Sequence, residues 1–206
     1  DLHSFPTRRS SDLSSEVLKE LYGGYAGVDK ENIVVGNGSD EMIGLVIGLN
    51  IAEGKKLLTL NPDFSMYDYY VSMHSGKMVK YNTKEDGSFD IDEFIELGKK
   101  ENVDMIIFSN PNNPTGHAIE PFKITKILEE FKDKVVLVDE AYYEFFGESM
   151  IPYINRYTNL LVTRTLSKAW GLAATRVGFL IGNSEEIKKI NKYKVPYNVN
   201  SLSQVI

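Results

Sequence analysis

The chain has 206 residues, of which 42% are hydrophobic and 25% charged, with a net charge of −6 and no cysteine. This composition is typical of one soluble globular domain, with room for a fraction of a second. The acidic balance excludes a general nucleic-acid binder, and the lack of cysteine excludes disulfides, thiolate catalysis and cysteine-ligated metals, in keeping with a reducing cytoplasm.

The two ends of the chain lack a regular pattern. Residues 1–13, DLHSFPTRRSSDL, show neither a strand nor a helix period and lack the apolar core of a signal peptide. We expect them to be disordered or foreign. The following SSEVLKEL predicts a helix start with Ser14 or Ser15 as its cap. Residues 14–206 are predicted to form one large domain that is incomplete at both ends, since the final VNSLSQVI stops in mid-pattern.

Short β-branched runs alternate with amphipathic segments of helix length, which indicates βα units around a mainly parallel sheet. The predicted strands are Ile33 to Val35, Lys56 to Leu60, Lys77 to Tyr81, Asp104 to Phe108, Val135 to Val138, Leu160 to Thr163 and Val177 to Ile181. The predicted helices between them are Ser39 to Ala52, Ser65 to Ser75, Asp90 to Asn102, Pro121 to Lys132 and Glu185 to Tyr193.

Neither a membrane span nor a metal site is expected. The longest apolar stretch, Met42 to Ala52, is broken by Gly44 and Gly48 and is far too short to cross a bilayer, so it is predicted to be a core helix. The three histidines are too scattered along the chain to suggest a metal site: His3, His74 and His117.

The segment GNGSDE, which begins at Gly36, lies between a predicted strand and a predicted helix. A dinucleotide fingerprint would need glycine where Glu41 stands, so that interpretation fails. The backbone at Gly38, the hydroxyl of Ser39 and the N–H groups that open the helix are suited to a phosphate, whereas the anionic Asp40 is expected to cap the helix. A tight turn capped by Ser39 or Asp40 is the alternative.

The segment NPNNPTG, Asn110 to Gly116, directly follows an apolar strand. Such a concentration of turn-forming residues is typical of a surface turn. Open α/β sheets, however, bind their ligands at the carboxyl ends of strands. A second interpretation is therefore that one asparagine amide points at a cofactor.

The segment VVLVDEAYYEF ends an apolar strand in Asp139, with Tyr142 three residues later. A carboxylate at such a position is costly unless it is paired, which makes Asp139 a candidate site residue. Beside a pyridine nitrogen it would keep the ring protonated and electron-withdrawing. An aspartate that caps the following turn is the alternative.

The segment RTLSKAWGLAATRVGFLIG places Lys168 just past a strand, with Arg164 and Arg176 nearby in sequence and apolar neighbours such as Trp170. Partial burial beside other cations would favour the neutral amine that forms a Schiff base. A solvated surface lysine is the alternative.

Taken in order, NPNNPTG, DEAY and TLSKAWGLAATRVG resemble the fold-type I aminotransferases that use pyridoxal 5'-phosphate (PLP), and within them the histidinol-phosphate aminotransferase family. GNGSDEMI, PDFSMY and PYNVNSLSQ support this resemblance, which extends from Ser14 to the end. Each motif alone is weak, but their shared order and spacing make coincidence improbable.

The resemblance implies a three-layer α/β/α sandwich with a mostly parallel mixed sheet, in which the strand that begins at Val177 runs antiparallel. It also implies that Lys168 bonds PLP through a Schiff base and shuttles a proton, and that Asp139 pairs with the pyridinium nitrogen. Asn113 and Tyr142 would both hydrogen-bond the 3'-oxygen of the ring.

The remaining implied contacts hold the ring face and the phosphate. Phe64 would stack on the pyridine ring. The 5'-phosphate would bind at Gly38, Ser39 and Asp40, where the first helix begins, chiefly through Ser39 and the backbone N–H groups. The cup would be completed by three further side chains: Thr165, Ser167 and Arg176.

The implied reaction is transamination between histidinol phosphate and 2-oxoglutarate in histidine biosynthesis, by a cytoplasmic homodimer. One alternative is a related PLP enzyme that acts on an aromatic amino acid or decarboxylates threonine phosphate. Another is a cofactor-binding fragment without turnover. The resemblance also implies an N-terminal arm and a small C-terminal domain that this chain lacks, so we expect the chain itself to bind PLP weakly and not to transaminate.

Overall fold

The computed structural model describes residues 15–204. The expectations for residues 1–13 and for Ser14 as a helix cap lie outside the described residues. The α-helices are α1 (Glu16–Ala26), α2 (Ser39–Asn50), α3 (Met66–Met73), α4 (Ile91–Glu101), α5 (Pro121–Glu130) and α6 (Ser184–Ile190). The strands are β1 (Ile33–Asn37), β2 (Lys56–Asn61), β3 (Lys77–Asn82), β4 (Met105–Ser109), β5 (Val135–Asp139), β6 (Leu160–Thr165) and β7 (Val177–Gly182). Short 3₁₀ turns span Lys30–Asn32, Tyr143–Phe145, Ile151–Tyr153 and Ala173–Thr175.

The seven strands form one sheet in the order β1-β7-β6-β5-β4-β2-β3. The pairs among β2 to β6 are parallel, and β7 is antiparallel to both of its neighbours, β1 and β6. The mainly parallel sheet and the reversed strand at Val177 are therefore both confirmed.

Side chains alternate between two hydrophobic cores, one on each face of the sheet. Along β1, Ile33 and Val35 enter the core covered by α1, α4 and α5, whereas Val34 enters the core covered by α2, α3 and α6. This alternation follows from the two-residue period of a strand. Two helical layers around one sheet make the predicted three-layer α/β/α sandwich.

Every predicted strand is confirmed, and each continues one or two residues past its predicted carboxyl end. The added residues are mostly polar, as with Ser109 and Asp139, because main-chain pairing does not depend on an apolar side chain. Strand β4 begins at Met105, one residue later than predicted. Several candidate site residues are consequently held in the sheet itself.

The predicted helices are confirmed, each ending one to three residues before its predicted end, and α6 begins one residue earlier than predicted. Asp90 caps α4 by accepting hydrogen bonds from the N–H groups of Asp92 and Glu93, and Asn102 ends that helix in the left-handed region at φ 51°. Ser15 occupies the N-cap position of α1 as predicted, but the prediction that its side chain caps the helix is wrong. Ser15 precedes α1 with φ 52°, and within the described chain its hydroxyl makes no capping hydrogen bond.

Within residues 15–204, no helix combines the length and apolarity that a bilayer crossing requires. The same residues contain no group of three or more His, Asp or Glu side chains arranged to hold a metal ion.

Candidate active site

The candidate site lies where adjacent strands end at one edge of the sheet. Ser109, Asp139 and Thr165 are the last residues of β4, β5 and β6, which are neighbouring parallel strands. Strand β7 runs the opposite way, so Arg176, directly before it, reaches the same edge. Residues distant in sequence therefore meet where open α/β sheets bind ligands.

Two glycines bring the start of α2 against β7. A Cβ atom at Gly178 would lie 2.1 Å from the backbone nitrogen of Ser39, so only glycine permits this approach. Gly38 has φ 79°, and a Cβ there would lie 2.4 Å from Nη2 of Arg176. The backbone N–H groups at the start of α2 thus stand beside the Arg176 guanidinium, a combination suited to an anion.

The structure brings ten of the eleven predicted site residues around one open cleft, and the eleventh, Gly38, adjoins it through Arg176. The predicted residues that line the cleft are Ser39, Asp40, Phe64, Asn113, Asp139, Tyr142, Thr165, Ser167, Lys168 and Arg176. Ser109 and Ala141 also line it.

Asp139 is buried at the base of the cleft. Its Oδ2 accepts a hydrogen bond from the Tyr67 hydroxyl at 2.9 Å, and its Oδ1 accepts one from the Thr163 hydroxyl at 2.8 Å. Oδ1 also accepts the Ala141 N–H at 3.3 Å, so the turn-capping interpretation holds in part. Burial raises the pKa of Asp139, although these hydrogen bonds oppose the effect. Among the described residues it has no ion-pair partner.

The three asparagines of NPNNPTG have different roles. The Asn110 side chain bonds the backbone of Ile119 in both directions, at 3.0 and 2.8 Å. The Asn112 side chain accepts hydrogen bonds from the N–H and the hydroxyl of Thr115, at 3.2 and 2.8 Å. Only the third of these asparagines, Asn113, lines the cleft. The segment is therefore both a braced turn and a wall of the cleft.

Lys168 lies at the mouth of the cleft, with its amine 5.3 Å from the centre of the Tyr142 ring. The predicted surroundings of Lys168 are wrong in two respects. The residue is exposed rather than partly buried, and Arg164 is a buried residue paired with Glu140. On β6, Thr163 and Thr165 face the cleft side, so the intervening Arg164 points the other way.

Arg164 and Glu140 form a buried ion pair behind the cleft. Nε and Nη2 of Arg164 lie 2.8 and 2.7 Å from Oε2 of Glu140, and Nη2 also donates to the Ser149 hydroxyl. The remaining carboxylate oxygen accepts the Met150 N–H at 2.7 Å. The guanidinium carbon lies 3.4 Å from the centre of the Tyr143 ring. This cluster braces the segment that follows β5, and that segment includes Tyr142.

The expected capping by Ser39 or Asp40 is also wrong. Gly38 occupies the N-cap position of α2, and Ser39 and Asp40 lie inside its first turn. Asp40 instead pairs with Arg176, whose Nη2 lies 3.3 Å from Oδ2. Both side chains are more than two-fifths exposed, so this pair contributes little stability.

A match to a family model identifies the chain. The model for aminotransferases of class I and II matches residues 1–206. The chain belongs to that family. The family match agrees with the resemblance found from the order of motifs along the sequence.

Relatives within this family agree. The chain is 48% identical to a histidinol-phosphate aminotransferase of Clostridium novyi (strain NT), with 95% of the chain and 54% of that relative aligned. It is 29% identical, with a TM-score of 0.85, to the solved histidinol-phosphate aminotransferase of Clostridium acetobutylicum, over 95% of the chain and 59% of that structure. The fold also matches the Sinorhizobium meliloti histidinol-phosphate aminotransferase in complex with pyridoxal-5'-phosphate, with a TM-score of 0.88, 22% identity, and 95% and 54% coverage. The chain spans about half the length of the curated relatives it matches.

The sequence analysis missed Ser109, which lines the cleft, and Tyr67 and Asp63, which bind residues that line it. Tyr67 and Asp63 lie within PDFSMY, but their contacts with Asp139 and Ser109 appear only once β2, β4 and β5 are side by side. Burial raises the pKa of Asp63 to about 7. Ser109 directly precedes NPNNPTG, and its position at the end of a strand was the signal that could have identified it.

Proposed function

We propose that the cleft binds PLP and that the chain forms the cofactor site of an aminotransferase acting on histidinol phosphate and 2-oxoglutarate. The observation that carries this proposal is the convergence of Lys168, the buried Asp139 and Arg176 on one cleft. The 48% identity to a histidinol-phosphate aminotransferase supports the choice of amino donor.

The base of the cleft fits a protonated pyridine. Asp139 accepts three hydrogen bonds but has no ion-pair partner in residues 15–204. A ring nitrogen that carries a proton would supply the missing positive charge and lower the cost of burying the carboxylate. Tyr67 and Thr163 hold the carboxylate oxygens in place from the sides.

The opposite end of the cleft fits a phosphate. The Ser167 Oγ is buried and has no hydrogen-bond partner among the described residues, although it lines the cleft. A phosphate oxygen would satisfy it. Arg176 would add a charge-assisted hydrogen bond, and Ser39 and Thr165 would supply hydroxyl groups.

PLP, when bound, would supply a protonated ring that withdraws electrons from the substrate carbon that bears the reacting amine. Asp139 holds the proton on the ring nitrogen. Lys168 would provide the amine for covalent attachment and, once the substrate amine has displaced it, would take the proton from the substrate carbon that bears that amine. Asn113 and Tyr142 would orient the 3'-oxygen, and Phe64 would cover one face of the ring.

The proposal is tested on the protein encoded by the complete reading frame that contains this sequence. Glutamate formation from 2-oxoglutarate is measured with histidinol phosphate, phenylalanine or tyrosine as the donor. We expect histidinol phosphate to give the highest kcat/KM. Release of CO2 from threonine phosphate would indicate a decarboxylase instead, and no turnover with any donor would contradict the proposed reaction. We also propose that the complete protein is a cytoplasmic homodimer; its sedimentation tests the oligomeric state, and fractionation of cells tests the location.

Asp139→Asn in this complete protein separates cofactor attachment from catalysis. The substitution keeps the shape of the side chain but removes the charge that holds the ring nitrogen protonated. We expect covalent incorporation of PLP to persist, while kcat falls by at least about 100-fold, the typical cost of losing one preorganised electrostatic partner. Single-turnover kinetics provide the measurement. An unchanged kcat would contradict the role of Asp139.

A further inference from the structure

Two walls of the cleft belong to strands that are not hydrogen-bonded near the site. Phe64 follows β2, and Asn113 follows β4. These neighbouring strands pair only through Leu57 with Met105 and Leu58 with Ile106. By contrast, β2 pairs with β3 over its whole length. Main-chain pairing between β2 and β4 therefore stops before the edge that carries the two side chains.

Asp63 joins the two strands across this gap. Its Oδ1 accepts hydrogen bonds from the Phe64 N–H at 2.8 Å and from the Ser109 hydroxyl. Its Oδ2 accepts the Ser109 N–H at 3.2 Å. One carboxylate thus binds the backbone beside Phe64 and the last residue of β4.

The connection continues from Ser109 to the opposite wall. The Ser109 Oγ accepts the N–H of Asn113 at 2.9 Å and a longer hydrogen bond of 3.4 Å from the Asn112 amide. The same Asn112 amide donates to the Pro62 carbonyl at 3.3 Å. A hydrogen-bonded path therefore runs from Phe64 through Asp63 and Ser109 to Asn113.

The placement of Asp63 is not explained by charge pairing. Within residues 15–204 no Lys, Arg or His forms an ion pair with it. The negative charge of Asp139 nearby raises the pKa of Asp63 further. A carboxylate in such surroundings is unfavourable unless its hydrogen bonds are needed. The three hydrogen bonds fix the distance between the backbone at Phe64, which follows β2, and Ser109, which ends β4.

We propose that Asp63 is a positioning residue for the cofactor: through Ser109 it sets the separation of Phe64 and Asn113, and hence the width of the slot for a planar ring. The inference rests on the proposed binding of PLP. It concerns the ring end of the cleft and leaves the phosphate end, at Ser39 and Arg176, unaffected.

The test compares Asp63→Asn with the wild type in the same complete protein that tests the proposed function. Asparagine keeps an oxygen for the Phe64 N–H and the Ser109 hydroxyl but turns an N–H group toward the Ser109 N–H, so two donors face each other and the end of β4 that carries Ser109 is pushed away. We expect the apparent Kd for PLP to rise at least about tenfold, in line with the loss of a hydrogen bond to a charged group. The affinity for inorganic phosphate should stay within about twofold, because the groups that bind it are not altered.

Ser109→Ala is a second variant that removes only the bridging hydroxyl, and we expect the same selective loss of PLP affinity. Asp68→Asn is the matched control, since Asp68 is an exposed aspartate paired with Lys80. We expect the control to bind PLP like the wild type. Equal loss of PLP and phosphate affinity in Asp63→Asn would indicate a merely structural role and overturn the inference, as would an unchanged Kd for PLP.

Amide hydrogen exchange tests the path without any ligand. We expect the N–H groups of Ser109 and Asn113 to exchange at least about tenfold faster in Asp63→Asn, because the Ser109 N–H loses its acceptor and the Ser109 hydroxyl that binds the Asn113 N–H is displaced with it. Unchanged exchange at Asn113 would overturn the inference even if PLP binds. Failure of the wild-type complete protein to bind PLP, together with faster exchange in the variant, would instead contradict the proposed function alone.

Discussion

In the complete protein, Lys168→Ala is expected to abolish covalent incorporation of PLP after treatment with borohydride. Among the described residues, Lys168 is the one lysine that lines the cleft, so no other amine is placed to react with the aldehyde. Incorporation is measured by the absorbance and mass of the labelled peptide, and it should fall from one equivalent to background. Non-covalent binding should persist in part, because the groups proposed for the phosphate and ring are unchanged.

Lys80→Ala is the control for this experiment. Lys80 is also a partly exposed lysine, but it pairs with Asp68 on the surface away from the cleft. Its removal should leave incorporation unchanged. A borohydride-stable adduct that persists at full yield in Lys168→Ala would contradict the assignment of Lys168.

Arg164→Met is expected to cause the largest loss of stability. Arg164 and Glu140 are 2% and 0% exposed, and removal of the guanidinium leaves an uncompensated buried carboxylate. Breaking a buried pair in this way typically costs about 3–5 kcal/mol. Urea unfolding of the chain measures the change in the free energy of unfolding. A chain of ordinary stability would become marginal or unfold.

A double variant separates the buried charge from simple loss of packing. Arg164→Met with Glu140→Gln removes both charges but keeps an oxygen to accept the Met150 N–H. We expect it to be more stable than Arg164→Met alone. Lys99→Met breaks the exposed pair with Glu130 and should cost less than about 1 kcal/mol. A double variant less stable than the single one would contradict an uncompensated charge as the cause.

The sequence by itself determined the fold class, the positions of the strands and helices, and the candidate site residues. Strands were identifiable because a buried parallel strand is apolar on both faces, as in Met105 to Phe108. The motif order pointed to the aminotransferase family, which the family match shows independently. Local sequence patterns were sufficient for the strands and helices because secondary structure and turns depend largely on nearby residues, whereas the roles of the site residues came from the family resemblance.

Only the tertiary structure decided which polar groups pair with one another. Arg164 and Lys168 are four residues apart in sequence, yet the alternation of side chains along β6 turns Arg164 toward Glu140 and away from the cleft. Asp40 binds Arg176 instead of capping α2, and Asp63 reaches Ser109 across a gap between strands. These contacts join residues 24 to 136 positions apart. Their partners depend on which strands are adjacent and in which register they pair, and a local pattern contains neither.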